Sequence, residues 1–125
     1  MTLNILAIFI GGGLGSLCRF GISKLMIKLS ATDFPLVLGT FISNMLSCIV
    51  IALAVVYFTG KMSESMMLKL FIITGFCGGF STFSTFSLET FELIKHGHYT
   101  VAIINVVISV IVGISLIFFI AKNHA

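Results

Sequence analysis

The sequence predicts an all-α integral membrane protein with four transmembrane helices, the third broken near its middle. Of its 125 residues, 58% are hydrophobic and only 9% are charged, too few to clothe a water-soluble domain of this size. The apolar residues fall into four runs, roughly 3–28, 36–58, 68–94 and 99–121. Each run holds the ~20 residues a helix needs to cross the hydrocarbon core. The third run is interrupted by Gly75-Phe76-Cys77-Gly78-Gly79-Phe80-Ser81-Thr82-Phe83-Ser84-Thr85-Phe86-Ser87-Leu88-Glu89. Irregular backbone survives in a bilayer only where protein covers it or where it lines a cavity. The stretch therefore predicts a broken helix beside a path for something polar. The whole chain, 1–125, is expected to form one transmembrane domain.

The first run lacks the basic n-region and the A-x-A site of a cleaved leader, and it is expected to remain as a helix. Gly11 and Gly15, and then Gly12 and Ser16, repeat the small-x-x-x-small spacing that lets helices approach closely. Arg19 follows Gly15 by four residues and lies ~24 Å along a helix begun at Leu3. A guanidinium at a helix centre costs on the order of 2.5–3.5 kcal/mol. Arg19 must therefore face protein or reach the interface.

Residues 30–35 (SATDFP) form a turn, with Ser30, Thr32 and Asp33 available to cap the second helix and Pro35 at its start. On that helix Thr40, Asn44 and Ser47 fall on one stripe. Asn44 offers two donors and an acceptor, for a neighbouring helix or for a path. The next turn spans 59–65. In the third run Gly75, Gly78 and Gly79 are expected to interrupt the helix and free carbonyls and amides.

Past that break come Ser81, Thr82, Ser84, Thr85 and Ser87, with Phe83 and Phe86 sharing one face. Rings packed only against lipid have no use for surrounding hydroxyls. Glu89 lies deep enough to need a partner or water, whereas Glu92 is near the solvated end. After a turn at 95–98, the fourth helix aligns Asn105, Ser109 and Gly113 at i, i+4 and i+8. Aligned polar stripes on three helices argue for a shared pathway.

Lysine and arginine usually set orientation, but here they nearly balance. Lys61, Lys69 and Lys122 lie toward one side, Lys24, Lys28 and Lys95 toward the other, with Arg19 deeper. Insertion both ways up, followed by antiparallel pairing, accounts for the balance and thickens an otherwise thin bundle. A fixed but weakly biased topology is the alternative. The pathway is rich in neutral donors, and the first, second and fourth helices carry no acid. A cation pore would want carboxylates or rings of carbonyls. Neutral donors suit an anion, and the positive edges of phenyl rings can face one.

Cys18, Cys48 and Cys77 lie in separate runs and read as small apolar fillers. His96 and His98 form H-x-H with too few further ligands for a metal site. No P-loop and no Ser/His/Asp grouping is present, so neither an enzyme nor a nucleic-acid partner is expected.

Three stretches together carry a resemblance: Gly12-Gly13-Leu14-Gly15-Ser16-Leu17-Cys18-Arg19-Phe20, Gly39-Thr40-Phe41-Ile42-Ser43-Asn44, and the long motif from Gly75 to Glu89. In order and spacing the chain resembles the Fluc-type (CrcB-like) fluoride ion channel family, nearly end to end. The resemblance implies a passive fluoride channel of the cytoplasmic membrane, built as an antiparallel, dual-topology homodimer with two pores. It implies a structural Na⁺ at the dimer centre, held by backbone carbonyls matching Gly78 and Ser81. Phe83 and Phe86 match the pore phenylalanines and Asn44 the pore asparagine. Thr82, Ser84 and Thr85 match the hydroxyl track, and Arg19 and Glu89 the vestibule. Thr40, Ser109 and Asn105 complete the expected fluoride pore. Ser81 stands where threonine is common in the family, which leaves its carbonyl unaffected. Asn105 stands where some members carry tyrosine.

Two other classes compete. A small multidrug-resistance-type exchanger is also four-helical, but it needs a carboxylate in its first helix, and none is present here. A non-transporting membrane scaffold could pack through the glycine faces, leaving the polar stripes without a use.

Overall fold

A computed structural model describes residues 1–61 and 65–123. The protein is all-helical among these residues, and four of its helical stretches are long and apolar enough to cross a membrane. Helix α1 is Thr2–Leu29 and α2 is Pro35–Phe58. The third span, Met66–Lys95, opens with α3 (Met66–Lys69) and continues in wide π-helical turns at Leu70–Cys77. It closes its first half with α4 (Gly78–Phe80) and resumes as α5 (Phe83–Lys95). The last span is α6 (Tyr99–Ala121). Apolar run length placed every span to within two residues of these ends, because hydrocarbon thickness fixes how much chain must be apolar. The expected turn at 59–65 runs through residues 62–64, which lie outside the described residues.

Two local expectations are corrected. Pro35 does open α2, but no side chain caps that helix. The hydroxyls before it stabilise the turn itself: Ser30 Oγ accepts from the Thr32 N–H at 3.2 Å, and Thr32 Oγ1 from the Phe34 N–H at 3.3 Å. These local bonds compete successfully with capping. The third helix also does not break at its glycines. Helical turns run through Gly75, Gly78 and Gly79, and the chain becomes extended only at Ser81 and Thr82.

Gly75 and Gly79 serve packing, whereas a Cβ on Gly78 would meet nothing within 4 Å. A Cβ on Gly79 would overlap the carbonyl of Gly12, one on Gly75 would lie 2.9 Å from the Ile8 carbonyl, and one on Gly15 would overlap the Phe76 carbonyl. Backbone therefore rests on backbone along α1 and residues 70–80, as small-x-x-x-small faces allow. Elsewhere α2 packs on α1 and α6, and α5 on α6 and α2. At the ends of the spans lysines fold over aromatic rings, with Lys61 Nζ 3.7 Å from the Tyr57 ring centre and Lys69 Nζ over Phe58. Such pairs anchor helix ends at an interface.

Candidate functional site

The site is built around the extended pair Ser81–Thr82, whose backbone groups, apart from the Ser81 N–H that still donates to the Cys77 carbonyl at 3.0 Å, have lost their helical partners. Side chains from α1 and α2 replace those partners. Asn44 Oδ1 accepts from the Thr82 N–H at 2.8 Å, and Asn44 Nδ2 donates to the Thr82 carbonyl at 3.3 Å. Ser47 Oγ donates to the Cys77 carbonyl at 3.1 Å, and Ser81 Oγ donates to the same oxygen at 2.8 Å. From α1, Arg19 Nε donates to the Gly79 carbonyl at 3.2 Å, with Ser16 Oγ at 3.5 Å from the same oxygen. Arg19 thus faces protein, as its cost in lipid requires. Among the described residues no hydrogen bond reaches the carbonyls of Gly78 or Ser81. No group of three His, Cys, Asp or Glu side chains able to hold a metal occurs there either.

Thr82 also caps α5. Its Oγ1 accepts from the Thr85 N–H at 3.2 Å and lies 3.1 Å from Thr85 Oγ1 and 3.3 Å from Ser84 Oγ. This cluster of hydroxyls stands between two cavities. One, about 300 Å³, is lined by Asn44, Ser81, Thr82, Phe83, Phe86 and Ser109, with Met45 and Cys48 also on its wall. The Phe83 and Phe86 rings lie 6.1 Å apart, tilted by 38°. Ser109 Oγ is buried without a hydrogen-bond partner among the described residues. Phe83 itself is 80% exposed on the single chain.

The other cavity, about 630 Å³, opens toward the chain end that carries the first and third turns. Arg19, Thr40, Thr85, Glu89 and Glu92 are among its lining residues. Buried Thr40 donates to Glu89 Oε1 at 2.8 Å, which supplies the partner Glu89 needed, while Glu89 Oε2 has no hydrogen-bond partner among the described residues. His96 and His98 stand at its rim. His96 Nδ1 is 2.8 Å from the Glu92 carbonyl, and the His98 ring meets Phe34 edge-on.

The structure brings most of the expected residues into these two cavities, with Ser84 beside them and Gly78 in the helical turn before the break. It does not bring Asn105 there. Asn105 is buried, donates from Nδ2 to Thr90 Oγ1 at 3.1 Å, and faces a separate groove between α2 and α6. Sequence reasoning missed the carbonyl contact of Ser47, the presence of Met45 and Cys48 at the cavity wall, and Thr90. Thr90 had a signal. In an antiparallel helix hairpin, residues equidistant from the turn at 97–98 face each other, and 90 and 105 are such a pair.

Residues 6–121 match the family described as "CrcB-like protein, Camphor Resistance (CrcB)". The chain is 40% identical over 109 residues to a "Fluoride-specific ion channel FluC" of Coxiella burnetii, covering 86% of each protein. It is 43% identical over 115 residues to a protein of the same name from Pyrococcus abyssi, covering 90% of this chain and 89% of the relative. A third such relative, from Azobacteroides pseudotrichonymphae, is 40% identical over 113 residues, with 90% and 89% covered.

Proposed function

The chain belongs to the CrcB-like family and is a multi-pass membrane protein, and on that premise we propose that it is a passive, fluoride-selective channel. The observation that carries this reading is the cavity of Asn44, Ser81, Thr82 and Ser109 beside two phenyl rings, with no carboxylate in its lining. Fluoride enters through the larger cavity, where the Arg19 guanidinium offsets the nearby acids and attracts an anion. It moves along the hydroxyls of Thr85, Ser84 and Thr82, which stand in for hydration water. It then reaches the smaller cavity, where the free Ser109 hydroxyl, the second N–H of Asn44 and the edges of Phe83 and Phe86 face it. No covalent chemistry is needed, and the flow follows the electrochemical gradient.

The working unit we propose is an antiparallel homodimer with two pores, paired through the third span. Support comes from mid-span groups that the single chain leaves exposed, among them Thr74, Gly78 and Ser84, since exposed polar backbone and hydroxyls are unsuited to acyl chains. The near balance of basic residues between the two ends agrees with dual topology. Na⁺ fits at the pairing site because the Gly78 and Ser81 carbonyls find no donor among the described residues and a hard cation takes oxygen ligands. Removing Na⁺ during purification is then expected to raise the monomer fraction in size-exclusion chromatography. A dimer indifferent to Na⁺ would remove the ion from the proposal.

Efflux from liposomes tests the channel itself. Fluoride is expected to leave through the protein without a pH gradient, and chloride to be retained. Proton-coupled uptake of an organic cation would favour an exchanger, and absence of any flux would favour a scaffold.

A further inference from the structure

We infer that Asn105 is a positioning residue that fixes the register of α6 on α5 and so sets the Ser109 hydroxyl beside Phe86. The inference rests on the channel reading and adds to it a residue that stands outside the path. Asn105 Nδ2 donates to Thr90 Oγ1 at 3.1 Å, and that hydroxyl gives its single proton to the Phe86 carbonyl at 2.8 Å. The chain of bonds therefore has one direction, from α6 through Thr90 to the backbone that carries the Phe86 ring.

The two helices run antiparallel out of a short turn, so four residues forward on α6 correspond to four residues back on α5. Asn105 faces Thr90, and one turn on, Ser109 meets Phe86 in the cavity both line. Four residues advance an α-helix by ~6 Å, so a one-turn slip would carry Ser109 out of that cavity. Packing of α6 on α2 and the short turn at 96–98 hold α6 in place overall, but between α5 and α6 themselves the polar restraint is single. Asn105 to Thr90 is the one side-chain hydrogen bond joining α5 to α6 among the described residues. The residues around it, Ala102, Ile103, Val106 and Val107 on α6 and Ile94 on α5, are apolar and add no directional bond.

Ser109 Oγ forms no hydrogen bond of its own among the described residues, so its placement depends on the helix that carries it. Asn105 does not line the cavity that holds Asn44, Phe83, Phe86 and Ser109, so it acts on that path only through the helix that carries it.

A double-mutant cycle read by fluoride efflux from liposomes tests this, with dimer content checked for each variant. Asn105→Ala and Thr90→Val are each expected to slow efflux roughly threefold to tenfold, the range for losing an interhelical hydrogen bond in a bilayer. The double variant is expected to be no slower than either single one, and Ser109→Ala to add no further loss on the Asn105→Ala background. Thr90→Ser, which keeps the hydroxyl, should conduct within roughly twofold of the unaltered protein.

Independent, multiplying losses, or Thr90→Ser as slow as Thr90→Val, would overturn the inference. If Asn105→Ala does not fold, the Thr90→Val and Thr90→Ser pair decides by the same criterion. Absence of efflux from the unaltered protein would instead refute the channel reading, and Asn105 would have no path to serve.

Discussion

The two halves of the third span are held by different physics. Residues 70–80 lie against α1 mainly through glycine, backbone on backbone, with Arg19, Ser16 and Ser47 bonding only the carbonyls of Gly79 and Cys77 at their end, so shape alone excludes any larger residue at Gly79 or Gly15. Beyond the break, α5 is held by directional bonds: Asn44 to Thr82, Thr40 to Glu89, and Asn105 to Thr90. The first half makes a rigid wall, and the second carries the rings and hydroxyls that line the cavities. A small steric change should therefore ruin the first half, while the second should respond to loss of polarity rather than to volume.

The sharpest way to break this contrast is Gly79→Ala. Overpacking usually costs about 1–3 kcal/mol, and a clash with the Gly12 backbone, which cannot rotate away, belongs at or above the top of that range. The thermal midpoint of the detergent-solubilised protein is expected to fall sharply. Gly13→Ala, where an added Cβ meets nothing within 4 Å, should stay within about 0.5 kcal/mol of the unaltered protein. Equal midpoints for the two variants would show that the glycine contact does not hold this half in place.

Next comes Thr40→Val, which conserves shape and removes the only hydrogen bond of the Glu89 carboxyl among the described residues. Leaving a buried polar group unpaired costs about 1–3 kcal/mol, so stability and fluoride efflux should both drop. Retained efflux and stability would mean that water already serves Glu89 and that the contact is incidental.

The smallest effect concerns the rings. Phe83→Ile and Phe86→Ile keep apolar bulk and lose the polar edge, an interaction of about 0.5–1.5 kcal/mol for aromatic groups. Efflux should slow by roughly twofold to tenfold. Unchanged efflux in both would reduce the rings to packing.

The four spans were legible because bilayer thickness leaves little freedom in where apolar runs begin and end. The break was legible in kind and misplaced by a few residues. Glycine signals both a weak helix and a close contact, and here the close contact with α1 decides, leaving the extended pair at Ser81–Thr82. Asn44, Thr82, Phe83, Phe86 and Ser109 were readable as a polar face and do meet in one cavity. Asn105 shared a stripe with Ser109 yet faces a different groove, because one helical turn is enough to pass from the cavity to the α2–α6 seam. Stripe membership reports direction around a helix and says nothing of depth along it. The pair of hydrogen bonds between Asn44 and the Thr82 backbone could not be read at all, since it needs the relative height of two helices joined through residues 59–65.

Asn44→Asp probes the neutral, donor-lined path most directly, with fluoride efflux measured beside that of the unaltered protein. An aspartate can still accept from the Thr82 N–H, but when ionised it cannot donate to the Thr82 carbonyl, and it sets a negative charge beside the ion's route. The unaltered protein is expected to release fluoride and the variant to release none. Equal efflux from the two would contradict a path through this cavity.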